Sequence, residues 1–259
     1  MQGTTATFVL VLTACLANGN ATANEVSGGG PLPPDSADLG WQASGSIGLS
    51  TATGNTEKRA MNMVFDAELR RERDRISTGL FWRYADQLNA GTGETDLTER
   101  KSGIKGKYDR FVSERTYWLV NAGVDADKLA GLDRRTTTGL GLGYQFEEGE
   151  DWTASAELGL NWFQELFGAA EDQEYVTLRV AGKWERRNAG DWTISQSVEL
   201  FPSIEDSDDI YSKLDSRLRY DLSEKLYGQL QWVVDWDNTP ADTQERLDQT
   251  WLFTVGWSL

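Results

Sequence analysis

The chain has 259 residues, and its 41 acidic residues outnumber the 25 basic ones, for a net charge of −16. This acidic balance argues against nucleic-acid binding, because a protein that neutralises phosphates needs Lys and Arg in excess. Histidine is absent, which excludes hydrolases that use an imidazole base and metal sites with imidazole ligands. We therefore predict that the protein is not an enzyme, has no catalytic residues, and binds no metal or other cofactor.

The N-terminal residues resemble an export signal. Ala6 to Leu16 form an apolar run that is too short for a transmembrane helix, and Ala21-Thr22-Ala23 matches an A-x-A cleavage site. We predict a signal peptide over residues 1–23; the alternative is that Cys15, which ends a lipobox-like sequence, becomes a lipidated N-terminus. Residues 24–39 contain three consecutive glycines and three prolines, and we predict a disordered tether there.

From Gly40 onward, apolar residues alternate with polar or small ones, as in a strand with one face toward lipid and one toward water. The clearest segment runs from Trp152 to Trp162, with Ala or Leu at each second position between them. Turn signals separate about twelve such segments, and an even number returns both ends of a barrel to the same side. A long loop is predicted over Phe163 to Glu174.

The final segment, residues 251–259, has apolar residues at every second position from Trp251 to Leu259. We expect it to pair with the first strand, because closure removes the edges of an open sheet. Outward rows that begin or end with Trp or Tyr match the aromatic girdles of membrane barrels. We therefore predict an all-β fold over residues 40–259: a transmembrane antiparallel up-and-down β-barrel of about 12 strands, of the outer-membrane type. A soluble sandwich or propeller, the alternative, does not explain the terminal aromatics together with connections that alternate between long and short.

Such a barrel is expected in the bacterial outer membrane. Its expected partners are outer-membrane lipid and lipopolysaccharide, together with the barrel-assembly machinery, which would recognise the C-terminal strand 251–259. No nucleic acid is expected among the partners.

Several short motifs occur in an order that points to a known family. They are Thr53-Gly54-Asn55-Thr56 after the first strand, Tyr108-Asp109-Arg110-Phe111 after the fourth, and the two later segments Asp127 to Arg135 and Gly139 to Tyr144. With these motifs the chain resembles the salt-induced outer membrane proteins (domain of unknown function 481) over its whole length from about Gly40. The resemblance implies a bacterial outer-membrane β-barrel and suggests a link to salt stress. It implies no substrate and no catalytic residue.

Charged residues occupy the faces opposite the apolar rows, and we predict that they line the barrel lumen. These candidate lumen residues are Asp66, Glu68, Arg70, Lys101, Lys105, Lys107, Glu157, Arg179, Lys183, Glu199, Lys213, Asp215, Arg217, Arg219 and Asp235. Two interpretations stay open. Charges around an open pore would select ions by sign, whereas ion pairs among long side chains would fill a narrow interior and hold it closed. We expect the inward change Glu157→Gln to be far less harmful than Leu158→Arg on the lipid-facing side.

Acidic residues also cluster in three predicted loops. They are Glu171, Asp172 and Glu174, then Glu205, Asp206, Asp208 and Asp209, then Asp237, Asp242 and Asp248. Carboxylate oxygens suit calcium or magnesium, but the ordered ligand spacing of a calcium loop is missing. We predict solvated negative charge at these loops rather than a metal site.

Three functions follow from this sequence. We favour a structural or salt- and envelope-stress-related barrel with an ion-paired lumen. The alternative is a narrow channel for small polar or ionic solutes, which would prefer anions because basic residues alternate along the fourth and tenth strands. An outer-membrane lipase or protease is the least consistent with the sequence, since the chain has no histidine.

Overall fold

In the computed structural model the chain forms a closed barrel of antiparallel strands. The structure describes residues 40–52, 57–88, 93–129, 131–149, 151–168, 171–187, 191–204, 210–238 and 246–258. The predicted signal peptide, Cys15, the predicted tether, the Thr53–Thr56 motif and Leu259 lie outside these ranges. Among the described residues, no helix is long and apolar enough to cross a membrane.

Twelve strands make up the barrel, as the sequence predicted. They are β1 (Gly40–Ala52), β2 (Glu57–Arg70), β3 (Asp74–Leu88), β4 (Thr95–Phe111), β5 (Thr116–Asp127), β6 (Leu132–Glu148), β7 (Trp152–Phe167), β8 (Gln173–Arg187), β9 (Trp192–Pro202), β10 (Ile210–Asp221), β11 (Leu226–Asp237) and β12 (Leu247–Ser258). Each strand pairs with its neighbours in chain order, and β12 pairs with β1 from Ser44 opposite Ser258 to Ile47 opposite Val255. The predicted up-and-down topology and its closure by the last strand are therefore confirmed.

The two ends of the barrel differ in the length of their connections. The end where β1 begins and β12 ends, here called the turn end, has the connections 71–73, 112–115, 149–151, 188–191 and 222–225. The opposite end, here called the loop end, has the connections 53–56, 89–94, 128–131, 168–172, 203–209 and 238–246. The longest connections thus all belong to the loop end, although 53–56 and 128–131 are as short as the turns.

The prediction of a loop over Phe163 to Glu174 is wrong at both of its ends. Strand β7 continues to Phe167, and β8 already begins at Gln173, with Phe163 paired to Tyr175. The apolar residue at this height lies on the inner face, where Phe163 is buried. The prediction assumed that apolar residues stay on the outer face. At Phe163 the apolar residue is on the inner face instead, so the last residues of β7 were not recognised as part of the strand. The acidic positions 237 and 248, predicted in a loop, likewise belong to β11 and β12.

The outside of the barrel is an apolar surface. Leu140, Leu142 and Leu158 are each more than half exposed, as suits side chains whose solvent is lipid. On β7 the outward row is bounded by Trp152 and Trp162. About ten residues at a rise of about 3.3 Å, tilted by about 40°, span roughly 25 Å along the barrel axis, the height of the apolar band of outer-membrane barrels.

Candidate functional site: the barrel interior

The inner faces of the strands carry the charged residues, and the largest connected group of them runs from β3 to β9. We call this group the central network: Arg75, Asp109, Lys107, Glu157, Arg179 and Glu199. Glu157 is at its centre and is only 8% exposed. It accepts hydrogen bonds from Lys107 Nζ at 2.6 Å, from Tyr117 Oη at 2.8 Å and from Arg179 Nη1 at 2.8 Å.

The network continues on both sides of Glu157. Arg179 extends it to β9, because its Nη2 atom lies 2.5 Å from Oε1 of Glu199. Lys107 extends it to β4 and β3, since Nζ lies 3.3 Å from Oδ2 of Asp109, which also lies 2.7 Å from Arg75 Nη2. Each member between the two ends of the network therefore has two partners of opposite charge. Buried charges are stable only when they are paired and hydrogen-bonded in this way.

Glycines on β6 allow side chains from β4 and β5 to reach β7. Gly139, Gly141 and Gly143 occupy successive inward positions of β6, so this strand presents bare backbone to the interior. A Cβ atom on Gly143 would lie 2.1 Å from the ring of Tyr117, and one on Gly139 would lie 2.0 Å from the amide oxygen of Asn161. Neighbouring side chains thus cover the bare strand closely, and any larger residue would displace them.

The basic residues of β10 find their acidic partners mainly on their own strand. Arg217 Nη2 lies 2.6 Å from Oδ2 of Asp215, which also accepts a hydrogen bond from Gln231 at 2.9 Å. Arg219 lies 2.5 Å from Asp221 and donates to the hydroxyl of Ser258 at 3.1 Å. These pairs form because alternate residues of one strand point to the same face and can meet there.

The remaining predicted lumen residues are also placed on inner faces. Lys101 pairs with Asp127 at 2.8 Å, and Lys213 lies 3.7 Å from Asp235, which accepts a hydrogen bond from Tyr211. Asp66 and Lys105 converge over Gly79, and a Cβ atom there would lie 3.1 Å from each side chain. Glu68 accepts a hydrogen bond from Ser77, and Arg70 stacks over the ring of Phe111. Asp66, Glu68, Lys105 and Lys183 border a common cavity.

Several interior residues escaped the sequence-based list. Arg75 lies near the start of β3 and points inward. Arg135 is almost fully buried, with Nε 2.6 Å from Oε1 of Glu165 and Nη1 3.8 Å from Asp125. Position 165 lay in the mispredicted loop. These residues lie toward the strand ends, beyond the apolar rows that identified the strands.

Aromatic side chains pack on the inner wall at both ends of the barrel. Near the loop end, four rings from consecutive strands contact one another: Phe163, Tyr175, Phe201 and Tyr211. Near the turn end, Phe111 packs against Tyr117 and Leu119. The alternation had predicted polar residues at these inward positions. The turn-end cluster adjoins the central network, because Tyr117 donates to Glu157 and Arg75 lies over the rings of Phe111 and Tyr117.

A cavity of about 190 Å³ remains beside the central network. Its lining includes Lys105, Lys183 and Glu185 and the hydroxyls of Ser155 and Ser197. Pockets that bind metabolite-sized ligands usually enclose about 300–1,000 Å³, so this space suits water and small ions. In the part of the chain that the structure describes, no group of three acidic or cysteine side chains could hold a metal ion.

Comparisons with solved structures place the fold among porin-like barrels. The NanC porin superposes with a TM-score of 0.51 at 8% identity, covering 83% of this chain and 98% of that one. The KdgM porin, solved in complex with disordered oligogalacturonate, gives 0.46 at 8% identity, covering 85% and 99%. The translocator domain of the autotransporter NalP from Neisseria meningitidis gives 0.43 at 9% identity, covering 85% and 88%. At 8% identity, the superposition on the NanC porin supports the fold alone.

The family assignment rests on the sequence. No curated protein matches the chain. The family described as "Protein of unknown function, DUF481" matches residues 45–259, which cover nearly all of the twelve strands. The predicted family is therefore confirmed, and the chain belongs to the protein family of unknown function DUF481.

Proposed function

We propose that this chain is a bacterial outer-membrane barrel with a structural role in the envelope, whose interior is closed by ion pairs and conducts little. The observation that carries the proposal is the central network. Its six members join β3 and β4 to β7, β8 and β9 through contacts of 2.5–3.3 Å. Solutes could pass this level only by displacing side chains that have two partners each. Separating a buried ion pair costs about 3–5 kcal/mol.

The orientation and partners of the barrel belong to the same proposal. Outer-membrane barrels have short periplasmic turns and longer external loops, so the turn end would face the periplasm. Strand β12 would then engage the barrel-assembly machinery through residues 251–259, and lipid would surround the apolar band. The proposed role is not catalytic, since the chain lacks histidine and the proposal assigns no reacting group.

A role in salt or envelope stress is part of this proposal, and the family resemblance suggests it. It predicts that deleting the gene slows growth of the parent bacterium at high salt more than at low salt. Equal growth of the deletion strain and its parent under both conditions would contradict that role. That result would not bear on the separate proposal that the lumen is closed.

Planar-bilayer recording tests the closure. The chain is refolded in detergent, and a shift in gel mobility between unheated and boiled samples establishes that the barrel has formed. We expect no steady conductance from the wild type, nor from the control Glu114→Gln in an exposed turn. A large and steady wild-type conductance would refute the closed interior and would make the protein a porin.

The cavity favours a second candidate, a narrow channel for small polar or ionic solutes. Charges of both signs and the hydroxyls of Ser77, Ser155 and Ser197 border it and could replace part of an ion's hydration shell. Lys105 and Lys183 border the cavity together with carboxylates such as Asp66, so an anion preference would depend on the balance of these charges. Reversal potentials in a potassium chloride gradient would establish which ion passes, if either does.

A further inference from the structure

An exposed group of cations lies on the outside of the barrel at the loop end. Arg100 on β4, Lys128 in the β5–β6 connection and Arg134 on β6 are all exposed. Arg100 and Arg134 alternate with the inward residues Lys101 and Arg135, so their side chains point away from the lumen. The amide of Lys128 donates to the carbonyl of Arg100 at 3.0 Å, which places these two residues side by side. We call these three residues the outer basic cluster.

Three acidic residues at this height, Asp125, Asp127 and Asp133, point away from the cluster, and Asp86 on β3 accepts a hydrogen bond from Tyr84. Asp125 and Asp127 point inward, to Arg135 and Lys101. The carboxylate of Asp133 lies toward β7, where a Cβ atom on Gly168 would be 3.3 Å from it. In the described ranges, no side-chain carboxylate lies within 4 Å of a cationic nitrogen of the outer basic cluster. The cluster therefore presents its positive charge to the surroundings of the barrel.

An apolar groove lies on the same face, closer to the middle of the barrel. It has a volume of about 510 Å³ and runs over β5 to β8, where Val120, Leu140, Leu142 and Leu158 border it. Arg134 precedes Leu140 on β6 by about six residues, which corresponds to roughly 15 Å along the barrel axis. Leu140 pairs with Leu160, just inside the Trp162 border of the apolar band, and Arg134 pairs with Leu166, roughly 10 Å beyond that border and so at the level of the lipid headgroups.

We propose that the outer basic cluster and this groove bind a phosphorylated glycolipid of the outer leaflet, of the lipid A type. Phosphate groups accept charge-assisted hydrogen bonds from Arg100, Arg134 and Lys128. The acyl chains then lie along the groove in place of free lipid. The site is bordered on β3 by the stacked rings of Trp82 and Tyr84. Tyr84 is the cross-strand neighbour of Arg100. The inference rests on the proposed outer-membrane location and on the loop end facing outward.

Binding is measured with the full chain refolded into phosphatidylcholine vesicles and titrated with purified lipid A. The test variant is Arg100→Gln, Lys128→Gln and Arg134→Gln together. The control removes three exposed arginines at the turn end, Arg71→Gln, Arg73→Gln and Arg115→Gln, so that both variants lose the same charge. Each cation near a charged lipid raises the binding affinity roughly fivefold. Because the test variant loses three cations, we expect it to bind lipid A about one hundred-fold more weakly than the wild type or the control does.

Two further probes distinguish the source of the phosphate. Phosphatidylglycerol at equal phosphate content, and inorganic phosphate alone, are each expected to bind at least tenfold more weakly than lipid A. Equal binding of either probe would overturn the glycolipid assignment. Equal lipid A affinity of the test variant and the wild type would overturn the site. If the triple variant fails to fold, the single variant Arg134→Gln is compared with Arg115→Gln in the same titration.

The orientation is tested separately, so that its failure can be distinguished from failure of the site. Lys128→Cys is labelled in intact cells with a membrane-impermeant maleimide. Labelling is expected from outside, and protection until the cells are opened would refute the outward orientation and with it binding in the outer leaflet, whatever the vesicle titration shows. A barrel that conducts steadily but still binds lipid A through the outer basic cluster would refute only the closed interior.

Discussion

The substitution Glu157→Gln tests the central network most directly. Gln keeps the size of the side chain but removes the charge that three donors share, at distances of 2.6–2.8 Å. Breaking a buried ion pair costs about 3–5 kcal/mol. Lys107 would keep Asp109 and Arg179 would keep Glu199, so the loss should fall at or below the lower limit, about 2–3 kcal/mol. The alternation of the sequence alone had suggested that this inward position tolerates the change.

The assay is urea unfolding of the refolded barrel in phosphatidylcholine vesicles, followed by tryptophan fluorescence. The control is Glu114→Gln, which removes the same charge from an exposed turn. We expect Glu157→Gln to lower the free energy of unfolding clearly below that of the control and to produce conductance events in planar bilayers that the wild type lacks. A loss below about 1 kcal/mol, the value typical of exposed ion pairs, together with unchanged conductance, would refute the view that Glu157 holds the interior closed.

Three further tests concern separate parts of the barrel. Leu158→Arg puts a charge on the lipid-facing side of β7 and should cost about 2–4 kcal/mol in the same unfolding assay; a neutral result would mean that this row does not face lipid. Replacing both Arg217 and Arg219 with Ser should open a conductance pathway, and an altered ion preference in an already open pore would contradict this. Gly143→Ala, whose Cβ atom would meet a tyrosine ring at 2.1 Å, should cost about 1–3 kcal/mol, whereas Gly228→Ala has open space and should be neutral within about 0.5 kcal/mol.

The sequence predicted the fold well because a membrane barrel imposes one simple rule on every strand. Outward positions must be apolar, so rows such as Trp152 to Trp162 identify both the strands and their lipid-facing sides. Strand ends were predicted less well, because the rule no longer applies beyond the apolar band. Outside it, inner aromatics such as Phe163 and outward polar residues such as Gln164 reverse the pattern.

The charged interior could be predicted from the sequence only in part. Periodicity gives the direction of a side chain, and thus the inward placement of Lys107, Glu157 and Arg179. It does not give partners, because residues on strands that are not neighbours meet only once the barrel has a defined shape. The contact of Lys107 on β4 with Glu157 on β7 depends on the two strands between them. No local pattern in the sequence shows how close Lys107 and Glu157 lie across the two intervening strands.

In the proposed closed interior, the missing side chains of the β6 glycines matter as much as the charged residues. If Gly143 carried even a methyl group, the ring of Tyr117 would have to move and its hydrogen bond to Glu157 would be disturbed. The central network has three cations and three carboxylates, so it carries no net charge with which to attract an ion of either sign. Its end member Glu199 contacts one cation of the network, whereas Glu157 contacts two. Glu157 joins the Lys107 side of the network to the Arg179 side, so a substitution at this one position would loosen both halves at once.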